Sequence, residues 1–161
     1  MTPSIIKNSM RRNFLKILGF SLISALVMPV NFLYAATKKL LNKNLSEEQK
    51  NVMFNEGTEK PFSSELNKEK RDGSYHCANC GIKLFESQNK YESGSGWPSF
   101  FQSLPEVFDT KTDHLLGYAR TEYHCKNCNA HHGHIFDDGP QPTGKRYCNN
   151  GVCLIFEPKK K

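Results

Sequence analysis

The sequence predicts a mainly β domain of short antiparallel strands, held by paired cysteine knuckles and preceded by an export segment. Three observations carry that prediction. From Ser74 onward, short apolar or aromatic runs alternate with clusters of Gly, Asn, Asp, Pro and Ser, the pattern of strands joined by tight turns. Two Cys-x-x-Cys pairs, Cys77 with Cys80 and Cys125 with Cys128, frame the middle of the chain. Residues 1–36 contain Lys7, Arg11, Arg12 and Lys16 but no acid, followed by an uncharged apolar run and small residues.

That first segment has the order of an export signal: a charged stretch, an apolar stretch over residues 17–30, and Ala35-Ala36 at a cleavage site. Ser21, Ser24, Pro29 and Asn31 interrupt the apolar run and argue against a stable membrane span. Arg11-Arg12-Asn13-Phe14-Leu15-Lys16 resembles a bacterial twin-arginine signal, with Met10 directly before the arginines as a departure. Sec export and an uncleaved signal-anchor are the alternatives. Cleavage after Ala35 or Ala36 leaves Leu33 or Tyr34 three residues back, neither of them ideal. The expected location is the bacterial periplasm, with the membrane touched only through the signal. The 22 basic residues less these four leave 18 against 16 acids, a net of +2 for the remainder. So balanced a surface argues against a nucleic-acid partner.

The expected organisation is residues 1–36 as signal, 37–44 as tether and 45–158 as the domain. Ser46-Glu47-Glu48-Gln49 is a capping-box pattern that starts a short helix. Val52, Met53 and Phe54 supply its apolar side, and Gly57 is placed to end it. Strands are expected at residues 82–85, 114–118, 134–136 and 152–156. Roughly 110 residues make a modest core, and cores of this size often carry a staple.

The cysteine pairs are that staple. Two residues between cysteines let both sulfurs face one point, and Gly81 and Asn129 just after each pair tolerate positive φ. Two facing knuckles make a closed four-cysteine site, suited to one structural Zn2+ with no open position for chemistry. Structural disulfides suit an exported chain and remain an alternative. Redox-active pairs are a further one, although such motifs usually open a helix in a thioredoxin-like unit and neither pair does so here.

Two cysteines remain. Cys148 follows Arg146 and Tyr147 where a Gly/Pro-rich loop meets an apolar run. A thiol beside a cation in such a place is a candidate low-pKa nucleophile. If the chain from Cys148 onward is extended, Cys153 lies about 16 Å away and faces the opposite side, so it reads as a small core residue. Ahead of Cys148, His131 and His134 follow the second knuckle on an expected loop and are candidates for acid–base work. The single Trp97 sits in Ser93-Gly94-Ser95-Gly96-Trp97-Pro98, where glycines let the backbone turn and present an indole at a surface. A core Trp is the alternative.

Taken in order, Gly57-Thr58-Glu59, both cysteine pairs, Ser93-Gly-x-Gly-Trp-Pro-Ser-Phe100, Arg120-Thr121-Glu122, Gly133-His134-x-Phe136-Asp-Asp-Gly-Pro140 and Gly144-x-Arg146-Tyr147-Cys148-x-Asn150 resemble the methionine-R-sulfoxide reductases, MsrB. The resemblance implies two antiparallel sheets with short N-terminal helices and a structural zinc on Cys77, Cys80, Cys125 and Cys128. It implies reduction of the R epimer of methionine sulfoxide in oxidised proteins or as the free amino acid. Cys148 is then the nucleophile and Arg146 favours its thiolate. Trp97 packs on the substrate's S-methyl group, and His131, His134 and Asn150 hold the sulfoxide oxygen and a water. Asp137 and Asp138 hold a turn. The family's resolving cysteine, two residues before the Trp, is Ser95 here. A thioredoxin-like protein or a small thiol is therefore the expected reductant of a monomeric enzyme. The alternative is a zinc-ribbon binding module in which Cys148 is incidental.

Overall fold

The structure, a computed structural model, describes residues 37–160. The expected export signal lies outside the described residues. The capping box forms as read. The Gln49 N–H donates to the Ser46 hydroxyl at 3.1 Å, and the Gln49 side chain accepts from the Ser46 N–H at 2.9 Å. This opens helix α1 (Glu47–Asn55), which buries Val52 and Met53. The helix ends one residue before the expected Gly57, because Glu56 itself takes the left-handed conformation with φ of 59°. Of the short N-terminal helices that the resemblance implies, α1 is the one α-helix among the described residues, followed by a 3-10 turn at Glu65–Asn67.

Nine strands follow among the described residues. They are β1 (Gly73–Cys77), β2 (Lys83–Glu86), β3 (Lys90–Tyr91), β4 (Ser99–Phe100), β5 (Phe108–Asp113), β6 (Arg120–Cys125), β7 (His131–Phe136), β8 (Arg146–Asn149) and β9 (Leu154–Pro158). They form two antiparallel sheets, one of three strands in the order β2-β1-β9 and one of six in the order β3-β4-β8-β7-β6-β5. Aromatic rings fill the space between them. Phe85 of β2 stacks on Phe100 of β4 with centroids 4.0 Å apart, Tyr75 of β1 meets Phe100 edge-on, and Phe108 packs against Tyr123. All but Phe108 are fully buried.

Three expectations need correction. Residues 114–118 are not a strand but an exposed turn between β5 and β6. Asp113 accepts the Leu115 N–H at 2.7 Å and Gly117 has φ of 82°, so local turn chemistry overrides the apolar run, and Leu115 and Leu116 face solvent. The chain from Cys148 to Phe156 is not one strand. It leaves β8 and crosses to the other sheet through a 3-10 turn at Gly151–Cys153, so the 16 Å spacing does not apply. Cys153 is nonetheless fully buried in the core, as expected. The segment carrying His131 and His134 is strand β7, not a loop.

The strand register places the chemistry. Directly paired residues share a face, and the pairs Ser99↔Cys148, His134↔Cys148, Glu122↔His134 and Lys111↔Glu122 run side by side. Ser99, Cys148, His134, Glu122 and Lys111 thus form one row across five strands, on the sheet face turned away from the aromatic core. Gly133 allows the close approach of β7 to β8, since a Cβ there would lie 1.9 Å from the Cys148 carbonyl oxygen. Replacing Phe100 with Ala should cost about 3–5 kcal/mol in a urea unfolding titration. The same change at exposed Phe62 should cost less than about 1 kcal/mol.

Candidate active site

Cys148 lines a cavity of about 110 Å³ with Thr58, Trp97, Arg120, Gly133, His134, Phe136 and Asn150. A larger groove of about 440 Å³, running past Phe101 and Val107, carries no cysteine or histidine. The chemistry therefore belongs to the smaller space.

Buried Glu59 frames the cavity. Its carboxylate accepts the Gly151 N–H at 2.5 Å and the Val152 N–H at 2.9 Å, tying residues 57–59 to the turn after β8. Its backbone N–H donates to the Asn150 side-chain oxygen at 3.0 Å, and its carbonyl accepts the Trp97 indole N–H at 3.1 Å. One residue thus orients the aromatic wall and the amide wall together. Burial pushes the Glu59 carboxyl up from its ordinary range, against those two N–H bonds. Trp97 is half-buried and reaches the cavity, so the core alternative falls away. Gly96 before it has φ of 94°, and a Cβ there would lie 2.8 Å from Pro61.

The histidines occupy two layers. His134 lines the cavity, and its Nε2 lies 2.9 Å from Asp113. Asp113 also accepts from Arg120 and from the Leu115 N–H, and its carboxyl falls to about 2, the Leu115 N–H first among the causes. An ionised Asp113 can only accept, so His134 carries its hydrogen on Nε2. His131, expected beside it, does not line the cavity. It is buried one layer behind, with Nδ1 2.5 Å from Glu122 and Nε2 3.5 Å from the Asn150 amide. His131 therefore meets the cavity only through Asn150. Burial pushes both histidines down, more than their carboxylate partners raise them. Glu122 is held well below the carboxylate range: burial opposes this, and His124 and His131 outweigh it.

Arg146 lies against the thiol's flank. Its guanidinium makes two 2.8 Å bonds to Asp138 and lies 4.3 Å over the Phe136 ring. Asp138 therefore fixes a cation as well as a turn. The Ser95 hydroxyl stands 3.9 Å from the Cys148 sulfur, linked at 2.8 Å to Ser93 and through it at 2.7 Å to Ser99. The low-pKa thiolate expected from sequence is corrected here. Burial pushes the Cys148 thiol up, and Ser95 and Arg146 only partly offset it. Arg120, Thr58 and Glu59 at this site had motif positions but no assigned roles. Their signal was the conjunction of those motifs, which only the fold brings together.

The four remaining knuckle cysteines meet where the two sheets end. Cys77 closes β1 in one sheet and Cys125 closes β6 in the other. The Cys77–Cys128 sulfurs are 3.8 Å apart and the Cys80–Cys125 sulfurs 3.5 Å, and all four lie within 4.8 Å of one another. Thiolates around a tetrahedral zinc would be about 3.8 Å apart, so the residues fit a metal ion. Gly81 and Asn129 take positive φ, 75° and 57°, and return their N–H groups to Cys77 and Cys125. None of the four is in a disulfide.

A two-sheet β fold, a four-cysteine cluster and a single thiol facing a tryptophan define a SelR domain, and the family model of that description matches residues 45–158. The chain is 54% identical over 117 residues to "Peptide methionine sulfoxide reductase MsrB" of Escherichia coli O45:K1 (strain S88 / ExPEC), covering 72% of this chain and 85% of that one. It is 53% identical over 117 residues, with the same coverage of 72% and 85%, to the protein of that name in Escherichia coli (strain K12 / DH10B). The chain belongs to the MsrB family.

The raised thiol has a consequence for reactivity. Alkylation of Cys148 by iodoacetamide should rise with pH through a midpoint above that of an ordinary thiol, about 8.5. Arg146→Met and Ser95→Ala should each move that midpoint further up. A midpoint below about 7 in the unmodified chain would show that the thiolate is already favoured at rest.

Proposed function

We propose that the chain is an exported methionine-R-sulfoxide reductase, acting on oxidised proteins and on the free sulfoxide through thiolate attack by Cys148. The observation that carries this is the convergence of Cys148, Trp97, His134 and Asn150 on one cavity. Trp97 would receive the substrate's S-methyl group, and the polar wall of His134, Asn150 and Arg120 would receive the sulfoxide oxygen. That division of apolar and polar walls would select the R configuration at sulfur.

In the first step the Cys148 thiolate attacks the electrophilic sulfur while the oxygen is protonated. The proton that leaves the Cys148 thiol is the one the oxygen gains: His134, its Nε2–H held by Asp113, accepts it on the free Nδ1 and passes it to the oxygen, and Asn150 orients the oxygen. The oxygen passes to Cys148, leaving methionine and a sulfenic acid. Two external thiols then return Cys148 to the thiol, forming their own disulfide and one water. Ser95 cannot serve as the internal partner, which favours a thioredoxin-like protein or a small thiol. Arg146 compensates the thiolate charge once substrate displaces water from the cavity.

The four-cysteine cluster would hold one structural Zn2+, which clamps the ends of β1 and β6 and leaves no open position. Residues 1–36 support delivery to the periplasm by the twin-arginine route, which moves folded proteins and so fits a metal loaded before export. The expected state is a monomer.

The test is turnover of the separate R and S epimers of a blocked methionine sulfoxide, with dithiothreitol and with thioredoxin. Only the R epimer should be consumed, and Cys148→Ser should lower turnover by at least about 10³-fold. His134→Ala should lower it about 10²–10⁴-fold. Consumption of the S epimer alone would refute the assignment, and full activity of Cys148→Ser would return the chain to a zinc-ribbon module.

A further inference from the structure

Outside the cavity and the four knuckle cysteines, Glu122, His124 and His131 form a second group of buried ligand-type side chains on the six-stranded sheet. Their ligating atoms, one from each residue, lie within 4.8 Å of one another. Glu122 Oε1 is 2.5 Å from His131 Nδ1 and 2.9 Å from His124 Nε2. Only the first contact is an aligned hydrogen bond, and His124 Nε2 is buried without a hydrogen-bond partner. Buried polar atoms left unpaired are rare and call for an explanation.

Cations already gather at this place. Lys111 Nζ bridges Glu56 at 2.5 Å and Glu122 at 3.2 Å, and Lys38 Nζ stands 3.0 Å from Glu56. Glu56 Oε1 is 3.9 Å from His124 Nε2. Lys38, Glu56, Lys111 and His124 also line a surface depression of about 350 Å³. An ion can therefore reach the group from solvent by displacing a half-exposed lysine.

We propose that Glu122, His124 and His131 constitute a second metal site, for a divalent first-row ion such as Zn2+, Ni2+ or Co2+. Two imidazoles and a carboxylate match that class of ion. Ligand atoms around a tetrahedral ion stand about 3.3 Å apart, so the observed pairs need to open by less than about 1 Å. Glu56 supplies a fourth oxygen once Lys111 withdraws.

The site is wired to the reaction through one proton. His131 Nδ1–H donates to Glu122, which is ionised and can only accept, so His131 Nε2 faces Asn150 Nδ2 as an acceptor at 3.5 Å. Coordination through Nδ1 moves the ring proton to Nε2 with no net release. Two donors then face each other, and the Asn150 amide must withdraw or turn. Because Asn150 lines the Cys148 cavity, occupancy of the metal site lowers turnover. Metal binding is independent of the proposed activity; the inhibition rests on it.

The experiment adds Co2+ to the full chain carrying zinc on its four knuckle cysteines, and follows bound cobalt by dialysis, visible absorption and turnover. One further Co2+ should bind, with weak d–d bands and no new thiolate charge-transfer band, and turnover should fall along the same titration. His124→Gln, which does not touch the cavity, should keep metal-free turnover, weaken Co2+ binding at least about tenfold and lose the inhibition. Lys111→Met, a change at a half-exposed side chain, should tighten binding by removing the competing ammonium. Cys148→Ser should bind Co2+ as the unmodified chain does. Absence of Co2+ beyond the zinc site, a thiolate charge-transfer band, or equal affinity in His124→Gln and Lys111→Met would overturn the proposal. Binding as expected by a chain with no reductase turnover would refute the activity and leave the site standing.

Discussion

The Glu59 carboxylate is the contact on which the geometry of the cavity depends. Burying a carboxylate is costly unless its oxygens are satisfied, and here both accept backbone N–H groups, from Gly151 and Val152. The same residue's main chain receives the Trp97 indole and binds the Asn150 amide. The apolar and polar walls are therefore referred to one residue rather than to two loops that could drift apart. Gln49 of α1 reaches the same turn through the Val152 carbonyl at 3.0 Å, so the helix also bears on the site.

A second constraint acts from further away. The cysteine cluster joins the end of β1 to the end of β6, one strand from each sheet. The aromatic core fills the space between those sheets, while the chemistry lies on the outer face of the larger one. Cys148 sits on β8 and His134 on β7, adjacent strands held by Gly133's close approach. Strands thus carry Cys148 and His134, and the turns carry Trp97 and Asn150. The cavity wall combines strand residues, Arg120, His134 and Phe136, with the turn residues Thr58, Trp97 and Asn150.

The meeting of the two cysteine pairs, and of Trp97, His134, Cys148 and Asn150, was legible through spacing and family motifs, and other readings were local. The capping box at Ser46 and Gln49, the knuckle turns at Gly81 and Asn129, and the buried Cys153 each depend on neighbours within a few residues. The cross-strand row from Ser99 to Lys111 depends on register between five strands, which spacing along one chain does not encode. The same limit explains His131. It is three residues from His134, yet a bulge in β7, with His132 as the extra residue opposite Tyr123 and His124, pairs His131 with His124 and sets it beside Glu122, behind Asn150. Residues 114–118 misled for the opposite reason, because an apolar run carries no strand without a sheet to cover it. The state of Cys148 also escaped: Arg146 beside it is visible in sequence, but the desolvation that outweighs Arg146 is a property of the fold.

In the proposed reaction Cys148 alone carries the oxygen and no internal cysteine resolves it. One turnover with a stoichiometric R sulfoxide and no reductant, followed by a dione trap for sulfenic acid and peptide mass spectrometry, tests it most directly. One methionine formed per chain and a single trapped adduct on Cys148 are expected. A Cys148–Cys153 disulfide in place of that adduct would contradict it.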